Sequence, residues 1–209
     1  MDALPGRDDW HPPRIDGRKV SLQRPRPEEL AAVMRWYTDP EIARLTRYQA
    51  RPMAPAEIER FFNGRLLSPD ALAYTIHELP GPELASRRPV GFTTFSSLDA
   101  DNGSVLFHIT IGERDAWGRG LGTEATELML AHAFERLGLH RVGLSVFSFN
   151  TRAIRAYDKA GFRVEGRIRE AIRRDGRHWD EIHMGVLADD WRARRGQHGV
   201  ARQPEAAMS

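Results

Sequence analysis

Within the run Asp115-Ala116-Trp117-Gly118-Arg119-Gly120-Leu121-Gly122-Thr123-Glu124-Ala125, three of the five positions 118–122 are glycine. A backbone without side chains lets a ligand reach its N–H groups. A helix opening here adds unpaired N–H donors and a partial positive charge of about half an electron. Such a place binds a phosphate or pyrophosphate without a lysine, and Arg119 and the Thr123 hydroxyl can add contacts. Two other phosphate loops do not fit. A Walker loop needs Gly-Lys-Ser/Thr, which this sequence lacks. The dinucleotide pattern GxGxxG would need glycine at 123, where threonine stands, and an acidic residue on the next strand, where 141–146 has none. The alternative is a plain glycine-rich turn before a core helix.

A second set of residues follows. Asn150, Ala153 and Tyr157 are three and four apart and so share one helix face. Ala153 is small, which leaves room for a ligand to pass over the helix, while Ile154 points elsewhere and can hold the helix to a sheet. Asn150 or Thr151 can cap the helix. An Asn150 that is only a cap, and a Tyr157 that is only a half-buried core tyrosine, are the alternatives.

The elements that must position these groups can be read from periodicity. Residues 18–24 read as a short strand and 27–37 as a helix, with Leu30, Val33, Met34 and Tyr37 at helical spacing and two glutamates in its first turn. Residues 40–45 and 55–67 are further helical pieces, broken by Pro52 and Pro55. Residues 71–78, 90–97 and 105–111 read as strands, the last with Phe107, Ile109 and Ile111 on one face and Leu106, His108 and Thr110 on the other. Asp101-Asn102-Gly103 is a hairpin signal. A long helix over 121–137, a strand over 141–146 and a helix over 151–160 closed by Gly161 follow. Strands 162–173 and 178–187, joined at Asp175-Gly176, finish the domain. The order predicts a mixed α/β (α+β) sheet rather than a doubly wound one. Residues 1–17 read as a flexible leader, 18–191 as one domain and 192–209 as a disordered tail.

Composition narrows the class. Hydrophobic residues at 41% and charged residues at 29% suit a globular domain. No apolar stretch approaches the roughly 20 residues of a membrane helix, and the opening MDALPGRDDWHPPR lacks the order of a secretory signal. With no cysteine, disulfides and thiolate chemistry are excluded. The net charge is +2, and the arginines are spread along the chain rather than gathered on one face, which argues against nucleic acid as a partner. A cytoplasmic protein with no membrane partner and no metal is expected.

With these motifs in place the sequence resembles the GNAT N-acetyltransferase superfamily, and within it the RimJ/RimL-like branch, from about Arg18 to Trp191. The family loop is Gln/Arg-x-x-Gly-x-Gly/Ala, and Trp117-Gly118-Arg119-Gly120-Leu121-Gly122 matches both small-residue positions. Trp117 departs from Gln/Arg, a change familiar in that branch. Asn150, Tyr157 and the pair Gly161-Phe162 match the second family signature, and Asp180-x-x-x-Met184 with Trp191 resembles the branch's closing strand. The resemblance implies a GNAT fold: a mixed, mostly antiparallel sheet of about seven strands, splayed between the fourth (105–111) and fifth (141–146), with flanking helices. It implies acetyl-CoA as cosubstrate, with its pantetheine arm in the splay against the backbone of Ile109, Thr110 and Ile111 and its pyrophosphate on Trp117, Gly118, Arg119, Gly120, Leu121, Gly122 and Thr123. Asn150, Ala153 and Tyr157 complete the implied cofactor surface.

The implied chemistry is direct attack of an amine on the thioester. A backbone N–H on strand 105–111 would meet the oxyanion, and Tyr157, a phenol protonated at neutral pH, would protonate the leaving thiolate. The base stays open. Some relatives carry a glutamate five residues before the asparagine, where Ser145 stands; others carry one on the strand before the loop, where Leu106 and His108 stand. His108, Glu113 and a water relay are the candidates. The acceptor should lie between the segment 36–53 and the final hairpin. Both are basic, through Arg44, Arg47 and Arg51 in one and Arg167, Arg169, Arg173, Arg174 and Arg177 in the other, with Asp39, Glu41 and Glu170 as partial offsets. That field favours a peptide N-terminus, or a small-molecule amine bearing a carboxylate or phosphate, over a polyamine or aminoglycoside. A non-catalytic acyl-CoA-binding regulator is the reading from another class. A homodimer is compatible with all of these.

Overall fold

A computed structural model describes residues 12–49, 51–80 and 87–200. One sheet of eight strands runs through them: β1 (Arg14–Asp16), β2 (Val20–Gln23), β3 (Leu72–Glu78), β4 (Arg88–Asp99), β5 (Ser104–Ile111), β6 (Arg141–Phe147), β7 (Arg163–Arg174) and β8 (Arg177–Leu187). Their order is β1-β2-β3-β4-β5-β6-β8-β7, and every pairing is antiparallel except β5 with β6. The β7–β8 turn is the two-residue Asp175-Gly176, with φ of 52° and 80°. Positive φ at both positions matches the twist of the flanking strands.

Six helices cover the sheet: α1 (Leu30–Thr38), α2 (Pro40–Thr46), α3 (Pro55–Phe61), α4 (Leu121–Ala131), α5 (Thr151–Ala160) and α6 (Ala188–Val200). α3 and α4 each end in a π turn, Phe62–Leu66 and His132–Arg136, which together bury Phe62, Leu66 and Phe134. On one face α4 and α5 pack Leu121, Ala125, Met129 and Tyr157 against Leu22, Tyr74, Ile76, Val105 and Phe107. On the other, α1 and α3 pack Val33, Trp36, Tyr37 and Ile58 against Ala73 and Phe92. β3 is therefore buried along its whole length.

The expected sheet of about seven strands has eight because Arg14–Asp16, inside the expected leader, pairs with β2 and lays Ile15 on the core. The expected tail also starts later. α6 continues through 192 to Val200, its Trp191 ring centroid 5.4 Å from that of Phe134 and its Arg195 2.6 Å from Glu135. Single anchors of this kind leave no periodic trace. The expectations for residues 1–11 and 201–209 lie outside the described residues.

Candidate active site

β5 and β6 pair only at 104–106 with 141–143. Beyond that, β5 follows β4 to Ile111 and β6 follows β8 to Phe147, so each keeps its outer ladder while the inner one stops. The wedge opens into a cleft of about 600 Å³ that reaches the start of α4. Ile109, Thr110 and Ile111 form one wall, and Ala153 and Tyr157 of α5 with its N-cap Asn150 form another. Trp117, Gly118, Gly120, Leu121, Gly122 and Thr123 close the end. Two sets of residues thirty positions apart in sequence thus share one cavity.

The loop backbone explains its glycines. Gly118 and Gly120 have φ of 76° and 83°, a left-handed conformation that costs glycine little. A Cβ on Gly118 would meet nothing within 4 Å, so the backbone angle, not crowding, requires glycine there. Gly120 is the N-cap of α4 and no side chain caps this helix. The first-turn N–H groups are therefore left for a ligand, and a pyrophosphate fits that donor set. The Trp117 indole donates to the Ile111 carbonyl at 2.8 Å, tying loop to β5, and the Arg152 guanidinium lies 3.6 Å from the centroid of its ring. Arg119 does not line the cleft. Its guanidinium pairs with Glu78, which also holds Arg88 at 3.0 Å. Besides Arg152, a basic group beside the loop is Lys19, whose Nζ donates to the Arg119 carbonyl at 3.2 Å.

Asn150 caps α5 by accepting from the Ala153 N–H at 3.2 Å, and its amide donates to the Leu45 carbonyl at 3.4 Å. It is therefore a cap and also a link to α2. Tyr157 is 8% exposed, with its ring edge-on to Phe107 and Phe162 at 6.4 and 5.9 Å. Burial pushes its phenol up to about 12. Core packing and a place in the cleft coexist in this residue, so it is a proton donor throughout the neutral range.

The expected bases fare differently. His108 points to the opposite face of the sheet from the α4–α5 core, its Nε2 2.7 Å from the Ser96 hydroxyl. Solvent reaches the ring, yet the atoms crowding it, and then the charge of Arg65, hold its pKa below the ordinary value. Glu113 accepts from the Trp36 indole at 2.9 Å and from Arg35 at 3.1 Å, which makes it a tie between α1 and the end of β5.

The two segments expected at the acceptor end do meet. Arg44 of α2 donates to Asp175 at 2.8 Å, and Arg174 donates to the carbonyls of Arg47 and, at 2.8 Å, Tyr48. Ile42, Leu45 and Thr46 of α2 also line the cleft. Nothing in the spacing of the loop or of α5 points to them; only the apolar face of α2 hints that it is covered. Arg152, Arg155 and Lys159 along α5 complete the lining. Of the expected acidic offsets, Glu41 meets Arg44 at 3.7 Å, while Asp39 and Glu170 form no ion pair with the acceptor-end arginines among the described residues. Asp39 pairs with Arg114 at 2.5 Å, and the acceptor-end arginines are met by Asp175, Asp180 and Glu57.

Comparison with known proteins gives the family and the fold. The acetyltransferase (GNAT) domain family matches residues 19–163. The SPbeta prophage-derived uncharacterized N-acetyltransferase YokL of Bacillus subtilis (strain 168) is 29% identical over 107 residues, a match covering 51% of this chain and 60% of YokL. Among solved structures, a GCN5-related N-acetyltransferase from Brucella melitensis has a TM-score of 0.69 at 24% identity, covering 94% of this chain and 88% of that one. A spermidine N-acetyltransferase from Vibrio cholerae, in complex with CoA and spermine, has a TM-score of 0.71 at 20% identity, covering 83% of this chain and 98% of that one. With the family match spanning well over half of the sequence, the chain belongs to the GNAT acetyltransferase family.

Proposed function

We propose that this chain is a cytoplasmic N-acetyltransferase of the RimJ/RimL-like branch that moves an acetyl group from acetyl-CoA to a primary amine. The acceptor is a protein or peptide N-terminal amine, or a small-molecule amine carrying a carboxylate or phosphate. One observation carries this reading: the uncapped start of α4 and the parted strands β5 and β6 open into the same cleft as Tyr157. The first supports a pyrophosphate, the second a narrow arm, and the third an acid for a leaving thiolate. Acetyl-CoA supplies the activated acetyl group. The chain's own residues orient it, keep water from it with the packed wall of Tyr157 and Leu121, and hold a proton at the Tyr157 oxygen.

The acceptor class follows from the charge at the far end of the wedge. Arg44, Arg51 and Arg167 are paired with Asp175, Glu57 and Asp180, whereas Arg47, Arg169, Arg173 and Arg177 form no ion pair among the described residues. A net positive rim attracts an acceptor with an anionic group and repels a polycation. The polyamine reading draws support from the spermine-bound Vibrio cholerae neighbour and from the buried carboxylate of Glu181 near this rim.

A panel of amines with acetyl-CoA, followed by release of free thiol, tests both. Turnover of peptides or of anionic amines, and not of spermidine, is the expected result. Tight acetyl-CoA binding with no transfer to any amine would replace this reading with the regulator.

A further inference from the structure

Glu181 is 5% exposed on β8 and, among the described residues, no cation pairs with it. A carboxylate buried without a cation is costly, and it needs hydrogen bonds to persist as an anion. Its partner is the Tyr48 hydroxyl, which donates to Oε1. The Ser145 side chain also bears on this phenol, partly offsetting the rise that burial and Glu181 impose on it. Tyr48 itself is 63% exposed, its ring edge-on to Phe147 at 5.4 Å, and Arg174 fixes its backbone.

Strand register places this chain of groups. Ser145 lies two residues beyond Gly143, the last β6 residue paired with β5, so it stands on the lip of the wedge. Across β6 and β8, Ser145 faces His183 and Phe147 faces Glu181, which puts Ser145 and Glu181 on the same face of the sheet. That face is opposite the one that packs against α4 and α5. The charged or titratable groups about Glu181 are Tyr48 and Arg174, His183 two residues along β8, and the Arg167–Asp180 pair beside it.

We propose that Ser145, Tyr48 and Glu181 form a proton relay, with Glu181 as the terminal acceptor of the proton lost by the acceptor amine. The inference rests on the transferase reading above. An N–H bond of the bound ammonium breaks as its proton passes to the Ser145 oxygen. Ser145 passes its own proton to the Tyr48 oxygen, Tyr48 passes its own to Glu181, and an O–H bond forms on the carboxylate. The freed nitrogen lone pair makes the new bond to the acetyl carbon, and the electrons of the broken C–S bond stay on sulfur, which takes a proton from Tyr157. The nitrogen's second proton restores Tyr157, and Glu181 returns the first to solvent.

Three variants test the relay, each compared with wild type by rate, by calorimetric affinity for acetyl-CoA and by ultraviolet titration of the free protein. Glu181→Gln and Tyr48→Phe should each lower kcat by about 100-fold, the lower end of the range for general base catalysis, with acetyl-CoA affinity unchanged. Ser145→Ala should fall in the same direction. The rate of Glu181→Gln should recover as the pH is raised from about 7 to 9, because the amine then loses its proton to water unaided. In the free protein, Glu181→Gln should let the Tyr48 phenol, identified by its loss in Tyr48→Phe, ionise at lower pH. Tyr48 is exposed enough that its truncation tests the relay even if Glu181→Gln does not fold.

The relay is overturned if Tyr48→Phe, or a folded Glu181→Gln, keeps kcat within about threefold of wild type. It is also overturned if the loss comes with an equal loss of acetyl-CoA affinity and no recovery at high pH, which would make Glu181 an anchor for α2. A wild type that acetylates no amine overturns the transferase reading as well; an active wild type beside an unaffected Glu181→Gln overturns the relay alone.

Discussion

At the scale of single residues, Tyr157 and Gly120 make separable predictions. Tyr157→Phe keeps the ring that packs on Phe107 and Phe162 and removes only the hydroxyl. The rate should therefore fall by about 10²–10³ while calorimetry gives an unchanged affinity for acetyl-CoA. Because burial pushes this phenol up to about 12, the wild-type rate should show no alkaline limb from Tyr157 at or below its ordinary value of 10.0. Gly120→Asp acts on binding instead. It forces a left-handed backbone on a residue with a Cβ, which would lie 3.5 Å from the Lys19 Nζ and bring a carboxylate to the donors of α4. Acetyl-CoA affinity should drop by at least about tenfold, on the order of 1.4 kcal/mol, with the fold kept and the thermal midpoint lowered only by the left-handed strain of about 1–3 kcal/mol; equal affinities would remove the pyrophosphate from this loop. Both residues are legible in the sequence because glycines at a helix start and a tyrosine seven residues after an asparagine are local patterns. Glu181 is not, since its meaning depends on Tyr48, which lies 133 positions away.

At the scale of elements, α2 is the piece whose role emerges only on folding. It walls the cleft through Ile42, Leu45 and Thr46, and it is clasped to the β7–β8 hairpin through Arg44–Asp175 and through Arg174. Arg174→Ala would leave the Arg47 and Tyr48 carbonyls without their donor, and because neither residue is buried, water takes its place, at a cost of about 1 kcal/mol. Amide exchange should speed up across Pro40–Thr46 and the acetyl-CoA off-rate should rise, with exchange in α4 unchanged. Uniform exchange across both helices would show that α2 does not move independently. The strands and the long helices were readable from their periods of two and 3.6. The sequence did not show that α2 touches both the cofactor wall and the hairpin, because contacts between distant segments leave no period. β1 escaped notice for a related reason: three residues are too short to alternate, and pairing with β2 rather than intrinsic pattern makes them a strand.

Across the whole molecule, the two-sided covering of the sheet buries three of the four tyrosines, and this sets the alkaline limit of the fold. Tyr74 and Tyr157 are pushed up to about 12 by burial and Tyr37 is pushed up further by the same cause, whereas Tyr48, 63% exposed, is raised by its partial burial and by the Glu181 carboxylate yet can ionise without unfolding. A phenol released by unfolding ionises near its ordinary 10.0, while the folded protein holds the proton. The stability these groups contribute is thus complete below about pH 10 and declines as the pH rises from there towards about 12. For Tyr74 and Tyr157 the loss is about 3 kcal/mol each, with Tyr37 adding to it, against a typical total of about 5–15 kcal/mol. Alkaline unfolding between about pH 10 and 12 should follow. Ultraviolet absorbance should then show one phenol ionising reversibly while circular dichroism is unchanged. The other three should ionise together with the loss of secondary structure. Mutating Tyr48 to Phe should remove the early step and leave the late one. If all four phenols titrated near pH 10 with the dichroism intact, the sheet would not be sealed on both faces as the packing of α1, α3, α4 and α5 requires.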